Sequence, residues 1–132
     1  PTLGEQVPGL RMVIDHLGQP PFQAGEPGQW GEDMRIAAQN PNVCAKISGL
    51  GTASGDWQGW TADSVRELIH WSIDLLGAER CMLGGDWPVS VLAGGYGKAF
   101  AVYKRILAER SQAEQEQISY KTATAFYGVN LG

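Results

Sequence analysis

Two titratable side chains follow apolar runs that have the length and composition of buried strands. Asp86 follows residues 81–85, which read Cys-Met-Leu-Gly-Gly, and His16 follows residues 12–15, which read Met-Val-Ile-Asp. In α/β enzymes the reacting groups gather at the C-terminal ends of parallel strands. Because a carboxyl and an imidazole both transfer protons, acid–base chemistry is what such a pair could perform. His16 and Asp86 are therefore the leading candidates for catalysis.

Lys46 lies in a third apolar run, at a position where its charge needs a partner. Residues 43–48 alternate apolar and polar side chains, and Lys46 shares the polar face with Ser48. An ammonium group enters a hydrophobic layer only at a large desolvation cost. This face is thus expected to hold a carboxylate, a substrate or water, which a closed barrel interior provides better than an open sheet. A structural ion pair is the alternative role for Lys46.

These residues are positioned by a predicted alternation of strands and helices. The predicted strands are 11–15, 43–48 and 80–85, and the predicted helices are 30–39, 62–76, 98–109 and 112–127. Strands spaced by about 30 to 40 residues with helices between them predict parallel βαβ units. Residues 17–28 are predicted to form a loop, and the glycine-rich stretches 49–55 and 94–97 are predicted to be mobile loops at the rim of the site.

The composition of the chain is typical of a single globular domain. A length of 132 residues with 43% hydrophobic content predicts one domain, residues 1–132, with a real core. The net charge of −4, without a cluster of Lys or Arg, disfavours nucleic acid or a membrane surface as a partner. No apolar stretch approaches the roughly 20 residues of a membrane span, and the first residues given do not show the basic-then-apolar pattern of a signal peptide. A cytoplasmic location is expected.

The cysteines are expected to be structural. Cys44 and Cys81 each lie inside a predicted strand, as small buried thiols of a reducing compartment do, with a disulfide as the alternative. They lack the close spacing and the neighbouring histidine of a zinc site. Zinc held by cysteine is therefore disfavoured.

Four motifs, taken together, resemble the amidohydrolase superfamily in its amidohydrolase-2 branch. They read M-V-I-D-H-L-G-Q-P over 12–20, C-A-K-I-S-G-L over 44–50, R-C-M-L-G-G-D-W-P-V over 80–89 and T-A-T-A-F-Y-G over 122–128. The chain is most similar to the branch that contains L-fuconolactonases and 2-pyrone-4,6-dicarboxylate lactonases. The resemblance spans nearly the whole chain in order and spacing, but only for the C-terminal portion of the family's fold.

The resemblance implies a function and roles for four residues. It implies part of a TIM-like (β/α)₈ barrel, about three βα units, whose hydrolase site opens a sugar lactone or similar cyclic ester. In the family, the positions of His16 and Asp86 are active-site residues, with the Asp as general base toward the hydrolytic water. His16 and Asp86 would also ligate one divalent metal ion, Zn²⁺, in metal-dependent relatives, whereas other members need none. Lys46 or Trp87 could then orient the ring of the substrate.

The chain also departs from the family's pattern. A (β/α)₈ barrel needs about 250 residues, and the family's His-x-His motif is absent because His16 and His70 are far apart. His70 is expected to be a solvated residue on the polar side of its helix. The isolated segment is expected to be inactive and to associate, either as a homo-oligomer or with the rest of a barrel.

Three alternatives to a lactonase remain open at this point. Two are enzymes of the same superfamily, namely a nonoxidative decarboxylase and a metal-dependent amide hydrolase. The third is a non-catalytic α/β segment that uses its open sheet edge for assembly.

Overall fold

A three-stranded parallel sheet forms the centre of the chain. The computed structural model describes residues 3–22 and 28–130, so part of the predicted loop 17–28 lies outside the described residues. The strands are β1 (Met12–Ile14), β2 (Val43–Ile47) and β3 (Cys81–Leu83), in the order β1-β2-β3. Both pairings are parallel, with Ile14 opposite Ala45 and Ile47 opposite Leu83. The parallel sheet covered by helices is confirmed.

Helices connect the strands and cover one side of the sheet. They are α1 (Leu3–Gln6), α2 (Gly28–Ala38), α3 (Leu50–Ala53), α4 (Ala62–Leu76), α5 (Gly95–Leu107), α6 (Gln112–Glu116) and α7 (Thr122–Tyr127). A π-helical segment, Gln117–Lys121, joins α6 to α7 into one continuous helix. Three short 3₁₀ segments are Asp15–Gly18, Ala78–Arg80 and Val89–Ala93. In the described part of the chain no helix is long and apolar enough to cross a membrane.

The core lies between the sheet and helices α4 and α5. Alternate residues of β2 are buried, as the sequence pattern predicts, and Ala45 and Ile47 are fully inaccessible. One apolar stripe of α4 meets them because residues spaced by three and four share a helix face. Its buried members include Val65, Ile69 and Ile73. This packing fixes the sheet, and with it the strand ends that carry the candidate site.

The predicted helix ends match the observed ends best where capping residues are present. Thr61 and Ser64 cap the start of α4, and Ser111 and Glu114 form the capping box of α6. Gly128 adopts the left-handed conformation after α7, with φ of 67°. Both cysteines are free thiols, but only Cys81 is buried as predicted, whereas Cys44 is half-buried.

Both glycine-rich stretches were wrongly predicted to be mobile loops. Helix α3 begins directly after Gly49, and its Leu50 is fully buried. Helix α5 begins at Gly95, earlier than predicted, after Gly94 turns the chain with φ of 94°. Glycine lowers helix propensity, which hid α3 and the first turn of α5, whereas here tertiary packing overrides that preference.

Candidate functional site

The candidate site lies at the carboxyl ends of the parallel strands. Directly after β1 the chain enters the 3₁₀ segment that carries His16, and Asp86 follows β3 by three residues. His16 Nε2 and Asp86 Oδ1 are 3.4 Å apart, although their strands are separated by β2. The two side chains that sequence analysis singled out are thus brought together on one side of the sheet.

Both residues hold unusual backbone conformations. His16 has φ of 55° and ψ of 36°, and Asp86 has φ of 50°, so both lie in the left-handed region. Leu17 and Gln19 share this region with φ of 50° and 55°. Non-glycine residues adopt it at a cost, and they concentrate at functional sites where the surrounding structure holds them. Here the turn redirects each side chain from the strand end toward its partner.

Ser48 fixes the orientation of the imidazole. It lies one residue beyond β2, is buried, and its Oγ is 2.8 Å from His16 Nδ1. When the hydroxyl donates to Nδ1, the neutral ring carries its proton on Nε2 and directs it toward Asp86. Sequence analysis placed Ser48 only on the polar face of its strand. Its position directly after β2 was the signal that could have identified it.

Position 49 requires glycine for two reasons, namely its positive φ and the close approach of His16 and Asp86 to its backbone. It has φ of 62°, and a Cβ atom built there would lie 2.7 Å from His16 Nδ1 and 3.0 Å from Asp86 Oδ2. Any side chain would therefore displace the imidazole, the carboxylate or both. The glycine lets the backbone pass directly beneath the pair.

An open depression of about 500 Å³ adjoins the pair. Its lining combines His16 and Asp86 with Gln19 and Gly49, with Thr52 and Ala53 of α3, and with Val89 of a 3₁₀ segment. Such a volume is in the range of small-molecule sites. Gly49, Thr52 and Ala53 belong to the stretch 49–55 that the sequence placed at the rim of the site, whereas Gln19 and Val89 were not identified, because only the fold brings their segments beside the pair.

Tyr103 supports the site from the core. It lies on α5, is almost fully buried, and its hydroxyl oxygen accepts a hydrogen bond from the Leu50 amide at 3.2 Å. Burial raises the pKa of the phenol to about 12, and the negative charge of Asp86 contributes in the same direction. The phenol is therefore neutral at physiological pH and links α5 to the start of α3.

Lys46 and Trp87 lie outside the lining of the depression. Lys46 Nζ is 2.8 Å from Asp15 Oδ1 and lies 5.6 Å from the centre of the Tyr127 ring. Hydrogen bonding from Lys46 holds the pKa of Asp15 below its ordinary value, and hydrogen bonds to Asp15 and Tyr127 raise the pKa of Lys46. Trp87 is 74% exposed. Asp15 is thus the carboxylate expected near Lys46, while a substrate role for Lys46 or Trp87 stays a prediction.

The second histidine does not have the solvated position expected for it. His70 Nδ1 accepts a hydrogen bond from Arg110 Nε at 2.9 Å, and its Nε2 is 3.0 Å from Glu109 Oε2. Arg110 also contacts Asp74 at 2.7 Å and Glu114 at 3.6 Å, and Arg66 pairs with Glu109. The His70 network comprises His70, Arg66, Asp74, Glu109, Arg110 and Glu114.

Burial and the neighbouring arginine act together on His70. Desolvation, followed by the positive charge of Arg110, lowers the pKa of the imidazole from 6.5. The network joins α4 to the chain that connects α5 and α6. Helix periodicity placed His70 on a polar face, but it could not show that a distant segment covers that face.

Known proteins include a family and several relatives that this chain resembles. Residues 4–129 match the model of the amidohydrolase family Amidohydro_2. An L-fucono-1,5-lactonase of Burkholderia ambifaria is 41% identical over 96 residues, covering 73% of this chain and 32% of that protein.

Two solved structures share the fold. An amidohydrolase from Burkholderia multivorans with bound Zn superposes with a TM-score of 0.83 at 29% identity, covering 91% of this chain and 44% of that one. A Pseudomonas putida protein proposed to be a 2-pyrone-4,6-dicarboxylic acid hydrolase has a TM-score of 0.74 at 27% identity, covering 94% of this chain and 45% of that one. The chain spans less than half the length of these relatives.

A zinc ion needs a set of ligand atoms that the described residues of this chain supply only in part. The His16 imidazole and the Asp86 carboxylate are suitable ligands, but a catalytic zinc takes three protein ligands. Among residues 3–22 and 28–130, no group of three or more His, Cys, Asp or Glu could hold a metal ion. The described donors do not complete a zinc site.

Proposed function

Since this chain belongs to the amidohydrolase family, we propose that it carries the acid–base pair of a hydrolase that opens a sugar lactone or a similar cyclic ester. The observation that carries the proposal is the separation of 3.4 Å between His16 Nε2 and Asp86 Oδ1 beside an open depression. The family alone leaves the substrate open. The identity of 41% with an L-fucono-1,5-lactonase favours a lactone over an amide or a carboxylic acid that loses CO₂.

In the proposed reaction Asp86 is the base and His16 is the hydrogen-bond donor. The Asp86 carboxylate accepts a proton from a water molecule, whose oxygen bonds to the lactone carbonyl carbon. The carbonyl oxygen becomes an oxyanion, which the Nε2–H of His16 stabilises. The bond between that carbon and the ring oxygen then breaks, and the protonated Asp86 returns its proton to the departing alkoxide. The product is an open-chain hydroxy acid, and Asp86 is a carboxylate again.

Ser48 and Gly49 support this division of roles. By holding His16 Nδ1, the Ser48 hydroxyl keeps the second ring nitrogen as the donor. Gly49 leaves room for the imidazole and the carboxylate to approach one another. Because the depression lies beside both groups, a ring ester could reach them from solvent.

The test is hydrolysis of L-fucono-1,5-lactone, followed by acid release in a weakly buffered solution with a pH indicator. We expect acid release above the spontaneous rate from a protein that carries this segment, and its loss in Asp86→Asn. Asp63→Asn is the matched control, because Asp63 is an exposed carboxylate on α4 that pairs with Arg66. Equal rates for the protein and the buffer would contradict the proposal, as would equal rates for the two variants and the parent protein.

We further propose that the isolated segment is inactive and works only when another segment covers β1. Within the described residues β1 pairs only with β2, so its second edge is open. A groove of about 610 Å³ is lined partly by Met12 and Ile14 of β1 and by Val43 of β2. Exposed strand edges and apolar grooves favour association. Sedimentation velocity distinguishes a homo-oligomer from a monomer that requires the rest of a barrel, and a stable active monomer would contradict this proposal.

A further inference from the structure

A second, much smaller cavity shares part of its wall with the open depression. It has a volume of about 10 Å³ and contacts Asp86, Gly49 and Thr52, which also line the depression. Its other walls come from the core and include Ser90 and Tyr103. This is the smallest volume that accommodates one water molecule, provided that two or more polar groups face it.

The Ser90 hydroxyl is the first polar group at this cavity. Ser90 is 5% exposed, and its Oγ has no hydrogen-bond partner among the described residues. Its backbone is fixed by the Ser90 amide, which donates to the Asp86 carbonyl at 2.8 Å. A buried hydroxyl without a partner carries an uncompensated desolvation penalty. The hydroxyl can avoid that penalty by bonding a water molecule in the cavity beside it.

The Tyr103 hydroxyl is the second polar group. Its oxygen accepts from the Leu50 amide, whereas its own proton has no acceptor in the part of the chain that the structure describes. Tyr103 is 1% exposed, so bulk water cannot accept that proton. The Asp86 carboxylate is the third polar group, and its Oδ2 lies on the side of Gly49, which lines the same cavity.

We propose that one ordered water molecule occupies this cavity and connects Ser90 Oγ, the Tyr103 phenol and the Asp86 carboxylate. The water accepts the Tyr103 proton, donates to Asp86 and bonds the Ser90 hydroxyl, which satisfies all three groups. It holds the carboxylate with Oδ1 toward His16. Ser90 is therefore a positioning residue for Asp86, and this consequence rests on the proposed function.

The water itself is tested by a high-resolution crystal structure of the protein and of Ser90→Ala. We expect a water within hydrogen-bond distance of Ser90 Oγ and Asp86 in the parent protein, and its loss or displacement in the variant. A dry cavity, with Ser90 Oγ bonded to a protein carbonyl, would overturn the inference.

Ser72→Ala is the matched control for removing a buried hydroxyl. Ser72 is also fully buried, and its Oγ is likewise without a partner among the described residues, but it lies on α4 and does not line the cavity. Loss of an unsatisfied hydroxyl therefore affects both variants, whereas loss of the water affects only Ser90→Ala. A Ser72→Ala structure that also lacks the water would count against Ser90 as its ligand.

The positioning role is tested by the ¹³C chemical shift of the Asp86 carboxyl carbon and by kinetics. We expect Ser90→Ala to change this shift. In a protein that carries this segment with β1 covered, we expect it to lower kcat roughly tenfold with KM unchanged, a loss typical of groups that orient a reacting residue. Ser90→Thr, which keeps the hydroxyl, should restore both values, and Ser72→Ala should change neither. Identical shifts in the parent protein and Ser90→Ala would refute the role.

Failure of this inference is distinguishable from failure of the proposed function. The crystal structure and the carboxyl shift are measured without turnover. A protein that shows the water and the shift but hydrolyses no lactone supports the inference and rejects the function. Lactone hydrolysis that depends on Asp86, but is accompanied by a dry cavity, supports the function and rejects the inference.

Discussion

Two histidine–carboxylate pairs in this chain have opposite surroundings. His16 and Asp86 extend from strand ends, on backbone in the left-handed region, and are 3.4 Å apart beside an open depression. His70 and Glu109 lie on or next to regular helices, are 3.0 Å apart, and are surrounded by arginines. Each pair joins an imidazole to a carboxylate, so the functional groups alone do not distinguish the two pairs.

The two pairs differ in how many of the histidine's ring nitrogens have a close hydrogen-bond partner. Both ring nitrogens of His70 have close partners, and Arg110 further contacts the His70 carbonyl and two carboxylates. Among the residues that the structure describes, His16 has a close partner only at Nδ1, while its Nε2 is 3.4 Å from Asp86 Oδ1, a distance too long for a strong hydrogen bond. A fully satisfied pair stabilises the fold, whereas a pair with spare bonding capacity beside a cavity can bind a substrate.

The largest expected effect comes from removing one carboxylate from each pair. In a protein that carries this segment with β1 covered, Asp86→Asn should lower kcat/KM for lactone hydrolysis by about 10³-fold, because an amide cannot serve as the base. Its melting temperature should not fall, since Asn tolerates the left-handed region at least as well as Asp. Glu109→Gln should keep the activity and lower the free energy of unfolding by about 0.5–1 kcal/mol. Kinetics and urea unfolding of both variants test whether one pair supports activity and the other supports stability. Loss of activity in Glu109→Gln would contradict this difference between the pairs.

Arg110→Leu tests the His70 network more strongly. Its guanidinium is mostly buried and contacts His70, Asp74 and Glu114, so its loss leaves several groups unpaired. We expect the free energy of unfolding to fall by about 1–3 kcal/mol. Lys121→Met is the control, because Lys121 forms an exposed pair with Glu116 that should contribute less. Equal destabilisation by both substitutions in urea unfolding would mean that burial adds nothing to the network.

The pH dependence of stability should depend on His70. The folded pKa of His70 lies below 6.5, so the unfolded chain binds more protons in the interval between the two pKa values. The stability that the neutral imidazole provides is complete above pH 6.5 and is lost as the pH falls through that interval. Melting temperatures between pH 8 and pH 5 should therefore decline less steeply in His70→Gln than in the parent protein. An unchanged slope in His70→Gln would contradict this assignment.

The smallest effect is expected from zinc. His16 and Asp86 supply two donors, and the described residues offer no complete set of ligands. Addition of ZnCl₂, or of a chelator, should therefore leave the melting temperature of this chain unchanged, since only a ligand that binds the folded state raises it. Asp86→Asn serves as the reference that lacks one donor. Stoichiometric zinc binding in calorimetry that Asp86→Asn abolishes would show that the pair belongs to a metal site.

Much of the fold was predictable because local signals and burial agree. Alternation in residues 43–47 predicted which side of β2 faces the helices, and Ser111 with Glu114 marked the start of α6. Parallel order then followed from the connections, and it carried His16 and Asp86 to the same edge. These features depend on patterns of a few neighbouring residues, which a sequence displays directly.

Features that depend on long-range packing were not predictable in this way. The left-handed turn at His16 ends β1 at Ile14, one residue before the predicted end at residue 15. The π-helical segment interrupts a helix whose pattern reads as regular, and Ser90 and Tyr103 reach the site from separate elements. In each case the decisive contact joins residues that are far apart in sequence, so no local pattern contains it.

The left-handed conformations at positions 16 and 86 have a consequence for protein engineering. Glycine at either position would relieve the backbone strain, because it adopts a positive φ without a steric penalty. A library selected only for thermal tolerance would therefore be enriched in replacements at these two positions, and the enriched clones would lose their acid–base groups. Directed evolution of this chain should accordingly hold His16 and Asp86 constant and seek gains elsewhere.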